Sequence, residues 1–132
     1  MKKIIVGLLL LIASLGTANA SQVYECVSDV VVKNLKGEVI SGPKKMASVV
    51  INKDNSFILK NSGGALMSGI LQHTGEKSKD GSAMYGSQQF IGTTEVVMMR
   101  TEYRDTLAWF AFLKNDKTIT NVLTLEADCT QR

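Results

Sequence analysis

Met46-Ala47-Ser48-Val49-Val50-Ile51-Asn52-Lys53-Asp54-Asn55-Ser56-Phe57-Ile58-Leu59-Lys60 sets two short apolar runs on either side of a polar pair. Val and Ile are stiff at χ1 and fit a pleated, half-buried surface. Asp54 and Asn55 tolerate the positive φ that a tight turn demands. The stretch therefore predicts a hairpin with Val49-Val50-Ile51 facing Phe57-Ile58-Leu59.

The same pattern continues outward. Towards the N-terminus, Val23 to Val32 is rich in β-branched residues, and Gly37 and Ser41-Gly42-Pro43 then punctuate the chain. Towards the C-terminus, Asn61-Ser62-Gly63-Gly64 is the next breaker, followed by Ala65 to His73. Ala65 to Leu71 is the one segment open to helix, and the preceding glycines together with Gly69 oppose that reading. Gly75 to Gly81 is polar and reads as a loop. Ala83 to Ile91, Thr94 to Thr101, Leu107 to Leu113 and Ile119 to Cys129 read as further strands. About eight short strands at hairpin spacing predict an all-β domain. A small antiparallel up-and-down barrel is the first choice, with a two-sheet sandwich as the alternative.

The N-terminus indicates where such a domain works. Met1, Lys2 and Lys3 give a basic start, Ile4 to Ile12 is an apolar run broken by Gly7, and Ala18-Asn19-Ala20 supplies small residues for cleavage. Residues 1–20 thus read as a cleaved secretory signal peptide of bacterial type, with Ser21 to Arg132 as one domain that is periplasmic or secreted. The apolar run is shorter than the ~20 residues that cross a bilayer. No cysteine follows Ala20 to carry a lipid anchor, and no membrane insertion of the mature chain is predicted.

Cleavage also alters the charge. The full chain carries 15 Lys+Arg against 12 Asp+Glu, a net +3. Lys2 and Lys3 leave with the leader and no acidic residue does, so 13 basic residues face 12 acidic ones and the net falls to +1. A near-neutral, mixed surface argues against nucleic acid, whose backbone calls for clustered, uncompensated cations.

Two cysteines remain, Cys26 and Cys129. In an oxidising compartment they predict a disulfide joining the first and last strands, which are neighbours in a barrel. A reactive or metal-bound thiol lacks clustered ligands to support it.

Sites for chemistry are sparse. His73 is the only histidine. As a general base it needs an orienting acid and a nucleophile, for which Thr74, Glu76 and Asp80 are the sequence neighbours. No nucleophile elbow, phosphate loop or metal-binding His pair occurs in the sequence. The reading is against an enzyme, and no cofactor or metal is expected. Met98 and Met99 are adjacent, so a strand sends them to opposite faces and against a joint Cu(I) site. On the same alternation Trp109 and Ala111 share one face while Phe110 and Phe112 share the other. One of these faces is core, and the other is an outer wall or a recognition surface.

Tyr24-Glu25-Cys26 soon after the leader, a β-rich body of this length and Cys129 near the end resemble the periplasmic inhibitors of C-type lysozyme. That family has a Ser-Gly-x-x-Tyr-like inhibitory segment. Gly81-Ser82-Ala83-Met84-Tyr85 offers a serine and a tyrosine three positions apart, one closer than in that segment, with Ala83 in place of the glycine. The resemblance implies a small eight-stranded barrel with a disulfide that pushes a loop into its target's cleft. The implied contact residues are Lys77, Lys79, Asp80, Ser82 and Tyr85, with the lysines and Asp80 steering the encounter. The partner would be a protein, a lysozyme or another secreted enzyme, and the role inhibition or immunity-type protection. A lipocalin-like carrier of a small apolar ligand is the alternative. It requires a hollow interior of about 300 Å³ or more, where the bulky residues of this short chain predict a filled one.

Overall fold

The computed structural model describes residues 21–132, and the predicted leader lies outside them. The predicted hairpin pairs in the expected register. β1 (Gln22–Asn34) is followed by β2 (Val39–Asn52) and β3 (Phe57–Asn61). Val50 lies opposite Leu59 and Ile51 opposite Ile58. Its turn differs from expectation. Lys53 to Ser56 form a four-residue loop closed by Lys53 N donating to Ser56 O at 2.9 Å. Such loops are built from right-handed turn conformations, so Asp54 and Asn55 need no positive φ.

The remaining elements are β4 (Gly64–Met67), β5 (Gln72–Lys77), β6 (Ala83–Ile91), β7 (Thr94–Tyr103), β8 (Thr106–Lys114) and β9 (Thr118–Leu125). A short 3-10 turn, Glu126–Asp128, leads into β10 (Cys129–Gln131). Among the described residues the fold is all-β and antiparallel, with ten strands where the sequence predicts about eight. Ala65 to His73 splits into β4 and β5 around Gly69 at φ 68°, and Ile119 to Cys129 splits at the 3-10 turn. The polar loop is also shorter than predicted, because β5 runs on through Gly75 to Lys77.

Pro43 does not end a strand. β2 begins at Val39 and passes through Ser41-Gly42-Pro43 with register irregularities against Val30 to Lys33. Gly42 is required there: its φ is 89°, and a Cβ would lie 2.4 Å from Val30 O. The positive-φ turn of ordinary residues is elsewhere. Arg104 and Asp105, at φ 52° and 62°, join β7 to β8, with Tyr103 opposite Thr106. Two central residues of positive φ make this a type I′ hairpin.

The sheet order is β4-β3-β2-β1-β9-β8-β7-β6-β5, with β10 also on β1. The first and last described strands are neighbours, and the Cys26–Cys129 disulfide joins residues directly opposite each other on β1 and β10. The free margins are therefore β4 and β5, consecutive in the chain, and hydrogen-bonded strands do not close the ring between them. Other contacts hold this seam. Ser68 N donates to Phe57 O at 2.9 Å, Leu71 N to Asn55 O at 2.7 Å, and Gln89 Nε2 to Met67 O at 2.7 Å.

Alternation sends Tyr24, Val50, Phe57, Leu59, Leu71, Val96, Met98, Trp109, Ala111 and Val122 into one core. Trp109 and Met98 are both fully buried, while Met99, Phe110 and Phe112 line a cleft of about 380 Å³ on the opposite face with Leu123. One polar row crosses the core. Ser28 Oγ donates to Ser48 Oγ at 2.9 Å and meets Thr124 Oγ1 at 2.5 Å, which keeps these hydroxyls satisfied.

Candidate functional site: the hairpin of β5 and β6 and its groove

The turn Ser78 to Ser82 joins β5 to β6 and is built around one carboxylate. Ser78 N donates to Ser82 O at 2.9 Å, and Gly81 N to Ser78 O at 3.0 Å. Asp80 Oδ1 accepts from the Ser78 hydroxyl and from Ser82 N. Its Oδ2 accepts from Arg104 N in the type I′ turn at 2.5 Å. These donors hold the Asp80 carboxyl well below the ordinary carboxylate range, because each bond favours the charged form. Asp80 thus organises the turn and pins it to the β7–β8 hairpin, a use of the carboxylate distinct from the steering role expected from sequence.

Lys77 and Lys79 are exposed on either side of Ser78. Ser82 and Tyr85 are brought together along a groove of about 310 Å³, whose other walls include Arg100, Thr101, Glu102 and Leu107. Tyr85 lies opposite Arg100 on β7 and opposite His73 on β5. The His73 ring meets it edge-on with centroids 5.3 Å apart, leaving the tyrosine 42 % exposed.

His73 packs against Tyr85 from the neighbouring strand. Its Nδ1 accepts from Gly75 N at 3.1 Å. Thr74 Oγ1 is turned to Met84 O at 3.0 Å, and Asp80 is committed to its own turn. Among the described residues no group of three or more His, Cys, Asp or Glu is placed to hold a metal ion.

Arg100 is the residue that sequence reading missed. Its Nη1 donates to Asn52 Oδ1 at 2.8 Å, Lys53 O at 2.7 Å and Ser56 O at 3.3 Å, and Nη2 donates to Asp54 O at 2.7 Å. The guanidinium thereby caps the β2–β3 turn, and Arg100 also lines the groove. Burial pushes it below its ordinary pKa, with partial compensation from Asp54. The available signal was a lone cation ending the apolar run Val96-Val97-Met98-Met99.

No family model matches the chain, and no curated protein or solved structure is similar to it. Among the described residues no helix is long and apolar enough to cross a membrane.

Proposed function

We propose that the protein is an exported binding protein that presents the β5–β6 hairpin to the cleft of a protein target, in the manner of the C-type lysozyme inhibitors it resembles. The observation that carries this reading is the triple use of the Asp80 carboxylate, which holds the hairpin tip in one conformation before any partner arrives. A preorganised loop loses less freedom on binding, and a half-exposed tyrosine beside a groove is a common anchor. Lys77 and Lys79 supply local positive charge for an acidic cleft. Ser82 and Tyr85 supply the polar and aromatic contacts.

A carrier role has less support, because Trp109, Phe57 and Met98 occupy the interior that a ligand would need. The test is inhibition of C-type lysozyme by the exported protein and by Tyr85→Ala. Inhibition by the parent, weakened tenfold or more by the substitution, supports the proposal. Equal inhibition by both removes the hairpin from the mechanism, and no inhibition by the parent removes lysozyme as the target.

A further inference from the structure

Each strand edge that the fold leaves unpaired is defended, with one exception. The stretch of β2 beyond its pairing with β3 carries Pro43, Lys44, Lys45 and a bulge. β5 carries Glu76 and Lys77, and two of its amides are satisfied locally, Gly75 N by His73 Nδ1 and Glu76 N by Thr74 Oγ1. β4 and β10 have only four and three residues. Proline, charge, bulges and shortness are the devices that keep sheet edges from pairing with other chains.

The exception is the distal half of β6. Its partner β5 reaches no further than Gln72 opposite Gly86, so Ser87 to Ile91 has a strand on the β7 side only. The stretch Gly81 to Thr94 contains no charged residue and no proline. The geometry also fixes which backbone groups are free. Gly92 and Thr93 form a two-residue turn between Ile91 and Thr94, and the residues flanking such a turn are a hydrogen-bonded pair. Counting back by twos, Ser87 and Gln89 bond to β7, while Gln88 and Phe90 turn their N–H and C=O outward. Phe90 is 66 % exposed, and Met67 across the seam is 62 % exposed.

We infer that this edge is the interface with a second copy of the chain, formed by antiparallel pairing of β6 with β6 about a two-fold axis through Gln89. Only an extended strand offers donors and acceptors at the spacing of Gln88 and Phe90. A second copy fits because the edge is self-complementary. Gln88 of one chain faces Phe90 of the other, giving two pairs that each exchange two bonds. Without charge along the edge, like meets like with no repulsion. The inference does not depend on the β5–β6 tip or on lysozyme.

Analytical ultracentrifugation of the exported protein over micromolar to several-hundred-micromolar concentration tests it, alongside Phe90→Lys. The substitution puts an ammonium opposite Glu95 within its own sheet, so the fold is retained, and circular dichroism checks this. The expected result is a parent of twice the chain mass, a monomeric variant, and Gln88 and Phe90 amides whose hydrogen exchange slows at least tenfold in the dimer. A parent that stays monomeric, a dimer that persists in Phe90→Lys, or amides that exchange equally fast in both states overturns the inference.

Discussion

Arg100 Nη1 donates to Asn52 Oδ1 at 2.8 Å, joining β7 to β2, which are separated in the sheet by β8, β9 and β1. The same Asn52 oxygen accepts the buried Trp109 Nε1 at 3.0 Å. One amide oxygen therefore satisfies the core indole and anchors the cation that spans the fold. Asn52→Leu strands the indole N–H and removes one of the four acceptors of the guanidinium. It should cost about 2–4 kcal/mol, since an unsatisfied buried donor costs ~1–3 kcal/mol and a bond from a charged donor adds to that. Thermal unfolding should show a melting temperature lower by about 10 °C or more. Arg100→Lys should recover little of what Arg100→Ala loses, because an ammonium cannot reach four acceptors in a planar fork.

The Cys26–Cys129 bridge closes a loop of 103 residues. Loop-closure entropy assigns it about 4–5 kcal/mol. The two residues are already opposite each other in the β1–β10 ladder, so the reduced protein should keep its strand content at low temperature while unfolding at much lower denaturant. Urea unfolding with and without reductant measures the difference, and coincident midpoints would contradict it.

Asp80 makes the hairpin tip sensitive to acid in one direction. Its folded pKa lies below the unfolded value, so its bonds contribute fully above the ordinary aspartate pKa of about 3.9 and are lost as pH falls further, through the folded pKa. Asp80→Asn should therefore loosen residues 78–82 at pH 5–8. Parent and variant should converge under strongly acidic conditions. Amide chemical shifts of Ser82 and Arg104, followed through a pH titration, read this directly.

Trp109 is the only tryptophan, and it is fully buried against Tyr24, with ring centroids 5.2 Å apart. Its emission should be blue-shifted and poorly quenched by acrylamide. Trp109→Ala should destabilise by about 3–5 kcal/mol. Emission typical of solvated indole would mean that the interior is hollow or open.

The parts of this fold legible in sequence are those set by local pattern or by elimination. Val49 to Leu59 announces its pairing through alternation around a polar break, and two cysteines leave one intramolecular bridge. Pro43 misleads because its effect depends on the bulge opposite Val30 to Val32, a property of the neighbouring strand. Ala65 to His73 reads as a single strand because nothing in its composition reveals that Ser68 to Leu71 must strap the seam. The candidate hairpin is visible as a polar stretch, but Asp80 works by reaching Arg104 across 24 positions. Arg100 is further from legibility still, since its acceptors are an amide oxygen and three carbonyls 44 to 48 residues away. Pattern reports which face a side chain takes, and such partners exist only after the sheet has curled.

The arrangement as a whole depends on an unusual placement of its margins: the first and last described strands lie mid-sheet and the opening lies between two strands consecutive in the chain. Residue-resolved amide hydrogen exchange tests this most directly. The two-residue turn between Asn61 and Gly64 leaves the Ala65 and Met67 amides facing away from β3, so both should exchange rapidly. Amides of Asn121 and Val122, in a strand flanked on both sides, should exchange only through global unfolding. Protection at Ala65 and Met67 equal to that of β9 would mean a ring closed by hydrogen-bonded strands and would contradict the account.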